Sequence, residues 1–179
     1  MEFKRPQDLV EASLLQQRTV LLWGEVNDDS ARHVVERLLY LESLKPQSPI
    51  TLLINSPGGH VHAGFTIYDC MQSISSPVAT HCTGMAASMG AILLSAGEKG
   101  MRKVYPHARV MIHQPSGGIG GRYADIEIQL EELSKAKKLG AQILADNCGQ
   151  TIDRILADFD RDHWMDAEEA LAYGIVDLL

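Results

Sequence analysis

Cysteine is sparse, with three residues, Cys70, Cys82 and Cys148, in a chain of 179. The number is odd and the positions are far apart, so there is no CxxC metal or redox pair and a disulfide scaffold is not expected. Reduced thiols suit a cytoplasmic location. Clustered basic charge is missing too. The net charge of −7 comes without a Lys/Arg run, which argues against a nucleic-acid partner. The N-terminal MEFKRPQDLVEASLLQ has no apolar h-region and hence no secretory signal. Charge is absent from Cys70 to Gly97, a length that suggests a membrane span. Gln72, Pro77, His81 and two internal glycines interrupt the stretch, however, and it reads as buried core. Nothing resembles G-x-x-x-x-G-K-[ST], so the chain should not hydrolyse ATP itself. There are no linkers or repeats, and one domain over residues 1–179 is expected.

What is present is ordinary for a folded globular protein, with 45% hydrophobic and 22% charged residues. RTVLLW (18–23) is β-branched and apolar and ends at Gly24, as a buried strand does. The helix expected after it has Asp28, Asp29 or Ser30 as cap and Val34, Leu38 and Leu41 on one face. ITLLIN (50–55) is a second strand, punctuated by Ser56-Pro57-Gly58-Gly59 and followed by a helix carrying Phe65, Tyr68 and Met71. Residues 78–83 read as a third strand, with a helix from GMAASMGA (84–91) to about Gly97. Apolar strands each followed by a helix indicate an α/β fold with a mostly parallel sheet. RVMI (109–112) is a further strand, halted at His113-Gln114-Pro115. A glycine-rich stretch, 117–121, then precedes a long, half-exposed helix over 123–147. A short helix at 152–157, another at 167–173 capped by Gly174, and a last strand, IVDLL (175–179), complete the reading.

Chemistry centres on GMAASMGA, where Gly, Ala and Ser surround Met85 and Met89 and leave one reactive hydroxyl, Ser88. A nucleophilic serine needs a tight turn into a helix and small neighbours, and Ala86-Ala87-Ser88-Met89-Gly90 is a relative of the G-x-S-x-G elbow. Tight helix packing explains the same small residues, and local pattern by itself favours it because small-residue helix starts are common. A base would have to come from elsewhere, and His113 at a strand end is suited to it. The Gly58-Gly59 turn could aim amides at a carbonyl oxygen, or be a plain βα turn. Asp158, Asp160, Asp162 and Asp166 crowd one loop, and spacing does not choose among them as the acid. His60 and His62 are two apart at a helix start, but no third ligand is near and no metal site is expected.

Taken together, INSPGG (54–59), IYDCMQ (67–72), GMAASMGA, MIHQP (111–115), DIEI (125–128) and AEEALAYGIVD (167–177) resemble the proteolytic subunits of ATP-dependent Clp proteases, in the same order and from about Val20 onward. The resemblance implies a crotonase-like (ClpP/crotonase) fold of repeated ββα units, with a handle region over about 114–147. It implies Ser88 as nucleophile, His113 as base and Asp162 as orienting acid. Gly59 and Met89 would be the oxyanion amides, and Gly58, Gly117, Gly118 and Ile119 would lie along the substrate. No metal or cofactor is implied. The implied substrates are unfolded polypeptides, the implied assembly is heptameric rings stacked as a tetradecamer, and the implied partner is an AAA+ unfoldase such as a Clp ATPase. The N-terminal segment departs from the family's longer axial loop, and His60 and His62 stand where small or other residues are expected. A non-catalytic ring subunit and a crotonase-type acyl-CoA enzyme are the alternatives, the latter normally relying on carboxylates rather than a Ser-His pair.

Overall fold

The computed structural model describes residues 5–118 and 120–179. In chain order the elements are α1 (Pro6–Gln16), β1 (Thr19–Trp23), α2 (Asp28–Leu44), β2 (Ile50–Ser56), α3 (Val61–Ser73), β3 (Val78–Ala87) and α4 (Met89–Ser95). They continue with β4 (Arg102–Val104), β5 (Arg109–Ile112), α5 (Tyr123–Cys148), α6 (Ile152–Asp158), β6 (His163–Met165) and α7 (Ala167–Tyr173). One sheet runs in the order β1-β2-β3-β5-β6, with β4 paired to β3. All pairings are parallel except β5 with β6.

Alternation along the strands sets the core. Val20 and Leu22 of β1 and Ile50, Leu52 and Ile54 of β2 are almost completely buried, while Thr19, Leu21, Thr51 and Leu53 on the opposite side of the pleat are less so. The buried face meets α2 through Val34, Leu38 and Leu41, the predicted stripe. Asn27, not the Asp28, Asp29 or Ser30 expected, caps α2: its Oδ1 accepts from Ser30 N at 3.0 Å while Ser30 Oγ accepts from Asn27 N at 2.9 Å.

Several expectations are corrected. β3 does not stop at Thr83 but runs on through Ala87, and α4 therefore begins at Met89 rather than in the preceding glycine-containing segment. Its extension follows a register shift: Ile54 faces Cys82 but Ser56 faces Ala86, and the bulge is filled by Asn55, whose Oδ1 accepts from Met85 N at 3.2 Å. α1, β4 and β6 are not anticipated from sequence. IVDLL is not a strand, because Ile175 N–H closes the end of α7 by donating to Ala170 O at 3.1 Å. Only then does the chain reach β4, by a single bridge between Lys103 and Leu178. α5 is half exposed as expected, with its buried residues confined to Gly140–Cys148. Glu131 and Lys135 form an i,i+4 ion pair at 3.1 Å on its exposed face. No helix among the described residues is long and apolar enough to cross a membrane.

Candidate active site

Three neighbouring strands deliver three side chains to one end of the sheet. The parallel register of β3 and β5, ending with Ala87 opposite Met111, continues when Ser88 N–H donates to Met111 O at 2.9 Å. The antiparallel register of β5 and β6 ends with Ile112 opposite His163, which sets the next residues, His113 and Asp162, against each other. Backbone pairing alone therefore brings residues 88, 113 and 162 together. Their side chains complete the arrangement: His113 Nε2 lies 3.0 Å from Ser88 Oγ, and His113 Nδ1 lies 3.0 Å from Asp162 Oδ1. An ionised carboxylate only accepts hydrogen bonds, so Nδ1 carries the proton. The Nε2 lone pair is then free to accept from the Ser88 hydroxyl.

Ser88 sits at a sharp reversal between strand and helix, with φ 55° and ψ −123°. A side-chain-bearing residue held there costs about 1–3 kcal/mol, a strain that the surrounding backbone bonds must hold in place. They do so: besides the bond to β5, Ser88 O accepts from Ala91 N at 3.0 Å and Ile92 N at 3.2 Å. Neighbouring bulk would not fit. A Cβ on Gly58 would lie 2.6 Å from both Ala87 O and Ser88 Cβ, at a φ of +89°. The absence of a side chain at Gly58 thus serves the close backbone approach at the turn that carries Ser88.

The two turn glycines differ in their backbone bonding. Gly58 N–H donates to Ser56 Oγ at 3.1 Å and Gly58 O accepts from Val26 N at 2.8 Å, so both of its polar groups are engaged. Gly59 forms the parallel bridge with Val26, in which the bonds to Val26 come from the residues on either side of it. Its own N–H is therefore directed away from Val26. Neither Gly59 N–H nor Met89 N–H donates to a backbone acceptor among the described residues.

A narrow apolar pocket of about 20 Å³ opens beside Ser88 and His113, walled by Phe65, Ile92, Ala136, Gly140 and Phe159. It shares Val61 and Ala136 with a shallower cavity of about 270 Å³ along which Gly117 and Gly118 lie, together with His62 and Ile128. Ile119 lies outside the described residues. His60 caps α3 without a side-chain bond and His62 is exposed on its first turn. Among the described residues no three His, Cys, Asp or Glu side chains converge to hold a metal ion. Asp158, Asp160 and Asp166 are occupied elsewhere: Asp158 accepts from Tyr173 and Arg154, Asp160 from Gln114, and Asp166 caps α7.

Gln114 and Lys137 join this neighbourhood without having been singled out from sequence as site residues. Gln114 spans from the residue after His113 to the turn before Asp162, and Lys137 Nζ donates to its Oε1 at 2.7 Å. Only the step from His113 to Gln114 in MIHQP hinted at the first, and a lysine in a charged helix carries no distinguishing pattern.

The sequence matches the family model described as Clp protease over residues 4–179. The chain belongs to the Clp protease family. Two curated relatives, each called ATP-dependent Clp protease proteolytic subunit, come from two strains of Bacteroides fragilis. Both are 51% identical over 168 residues, which is 94% of this chain and 81% and 76% of theirs. As a Clp protease family member the chain is a peptidase subunit, and its mixed α/β sheet with flanking helices is the ClpP/crotonase-like fold of that family.

Proposed function

We propose that this Clp-family chain is a serine endopeptidase whose nucleophile is Ser88, base His113 and orienting acid Asp162. The observation that carries the reading is the continuous pair of 3.0 Å contacts from Ser88 Oγ through His113 to Asp162. Ser88 Oγ attacks a peptide carbonyl carbon while His113 Nε2 takes its proton, and the carbonyl oxygen gathers negative charge facing the N–H groups of Gly59 and Met89. His113 then gives the proton to the leaving amine, which departs as the acyl-enzyme forms. Water releases the acyl group, with His113 taking the water proton and returning one to Ser88. Asp162 keeps the proton on Nδ1 throughout and stabilises the imidazolium.

Around this centre, an extended peptide would pair with the stretch containing Gly117, Gly118 and Ile119, and pass Gly58, where the absence of a side chain leaves room. The apolar pocket beside Ser88 favours an apolar side chain at the cleaved residue. The exposed first half of α5, with Tyr123 and Ile128 open in the single chain, suits burial between copies in heptameric rings and a tetradecamer. Unfolded polypeptide would be supplied by an AAA+ unfoldase of the Clp ATPase type. Three free, buried cysteines fit a cytoplasmic location.

A fluorophosphonate serine-hydrolase probe, read by intact-protein mass spectrometry and peptide mapping, tests the assignment. The expected result is one adduct on Ser88, absent from Ser88→Ala, whose peptide turnover falls by up to about 10⁶-fold with the fold retained. Undiminished peptidase activity in the purified variant would remove Ser88 from the mechanism.

A further inference from the structure

Asp162 is 62% exposed at its side chain. Burial therefore does not hold the carboxylate against His113, and the backbone on either side of it must. On the C-terminal side β6 is locked to β5. On the N-terminal side the turn 159–161 is tied to the base's own strand by Gln114. Its N–H donates to Phe159 O at 2.6 Å, and its side-chain amide donates to Asp160 O at 2.9 Å and Asp160 Oδ1 at 3.3 Å. The amide oxygen accepts from Lys137 Nζ at 2.7 Å, across from α5. Lysine can only donate, so the oxygen of Gln114 must face Lys137 and its NH₂ must face Asp160. The ammonium and the two Asp160 acceptors thus demand the same orientation of the amide, and Lys137 ties that amide, and through it the turn, to α5.

We propose that Lys137 is a positioning residue for the peptidase reaction, holding Asp162 against His113 through Gln114 and the turn 159–161. This rests on the Ser88–His113–Asp162 reading. Lys137 is partly buried behind Gln114 and meets neither Ser88 nor His113 in a hydrogen bond, so its influence is on the placement of the acid, not on contact with substrate. A charge-assisted bond to a neutral amide is strong enough to orient it, and a misplacement of about 1 Å in such a constellation costs about 10²-fold in rate.

The test compares wild type, Lys137→Met, Lys137→Arg, Gln114→Leu and the Lys137→Met/Gln114→Leu double variant, as native assemblies whose mass is checked by sedimentation. Two quantities are read: kcat and KM on a fluorogenic peptide, and the rate of fluorophosphonate labelling at Ser88. In Lys137→Met, kcat and labelling are expected to fall about tenfold to hundredfold while KM stays within about twofold. Lys137→Arg should recover most of the loss. The double variant should lose no more than Gln114→Leu alone, because both act through one chain of bonds. Wild-type kcat in Lys137→Met, a loss confined to KM, or full additivity in the double variant would overturn the proposal. If Lys137→Met alters the assembly mass, Gln114→Glu decides, since it keeps an acceptor for Lys137 and removes the donor to Asp160; unchanged kcat there overturns the proposal as well. Labelling of wild type at Ser88 with an equal rate in Lys137→Met removes only the role of Lys137. No labelling of wild type removes the triad reading itself and this inference with it.

Discussion

At the scale of single residues, the geometry around Ser88 shows why its turn is passed by a glycine and not by a bulkier residue. The residue adopts a positive φ that L side chains avoid, and Gly58 passes so close that a methyl group there would overlap Ser88 Cβ. In the proposed mechanism Asp162 matters through the proton it holds on His113 Nδ1. Asn in its place offers an NH₂ as well as an oxygen, which allows the opposite tautomer and puts the proton on Nε2, where it cannot accept from Ser88. Asp162→Asn is therefore expected to lower kcat by about 10³- to 10⁴-fold at neutral pH with the fold unchanged, measured on a fluorogenic peptide beside circular dichroism. Near wild-type kcat would show that the histidine is oriented by something else.

At the scale of elements, two registers do the positioning and one long helix divides its labour. β3 with β5 and β5 with β6 are short pairings, yet they end one residue short of Ser88, His113 and Asp162, so a slip of one residue would turn His113 to the other face. α5 buries its C-terminal part through Ala141, Leu144 and Ala145, while its N-terminal half carries exposed Tyr123, Ile128 and Leu130. β6 leads directly into α7, which begins with a reciprocal cap: Asp166 Oδ1 accepts from Glu169 N at 2.9 Å and Glu169 Oε2 accepts from Asp166 N at 2.8 Å. Asp166→Ala removes this cap. It should cost about 1 kcal/mol in a urea titration and leave kcat unchanged, because the β5–β6 pairing lies upstream of the cap. A large loss of kcat with little loss of stability would place Asp166 in the chemistry instead.

At the scale of the molecule, one buried cation fastens the C-terminal segment to the sheet. Arg102 on β4 is 1% exposed, and its Nε and Nη2 donate to Asp177 Oδ2 and Oδ1 at 2.8 and 2.5 Å, while Nη1 donates to Ser95 O at 3.2 Å and Asn147 O at 2.9 Å. α4, β4, α5 and the C-terminal segment thus converge on one guanidinium. Hydrogen bonds from Arg102 and from Gly100 N hold the Asp177 carboxyl down at about 2. A depressed carboxylate stabilises the fold fully above its unfolded value near 4, and the contribution is lost as pH falls toward about 2. Asp177→Asn should therefore flatten the decline of stability between about pH 4 and pH 2. At pH 7 the same variant should be destabilised by about 3–5 kcal/mol, because Arg102 is left buried without its counter-charge. Thermal or urea unfolding across that pH range checks both, and a variant that tracks wild type at every pH would show that the pair contributes nothing net.

Much of this protein is legible in its sequence. Period and punctuation located β1, α2, β2, α3, β5 and α5, because apolar runs bounded by Gly and Pro are local properties of the chain. The runs from INSPGG to AEEALAYGIVD were specific enough together to point to the Clp protease family, and they named Ser88, His113 and Asp162 as candidates. Local pattern by itself left the choice among four aspartates open, since all of them sit in one acidic stretch. β4 and β6, three residues each, gave no periodicity to detect, and GMAA is too small and unbranched to read as strand until β5 lies beside it. Three features were decided by the tertiary structure alone: the contact of Asp162 with His113, the bond from Lys137 on α5 to Gln114, and the anchoring of Asp177 by Arg102. Each joins residues at least 23 apart in sequence. Local preferences act over a few neighbours along the chain, whereas hydrogen bonds between distant segments exist only once the sheet has brought those segments together.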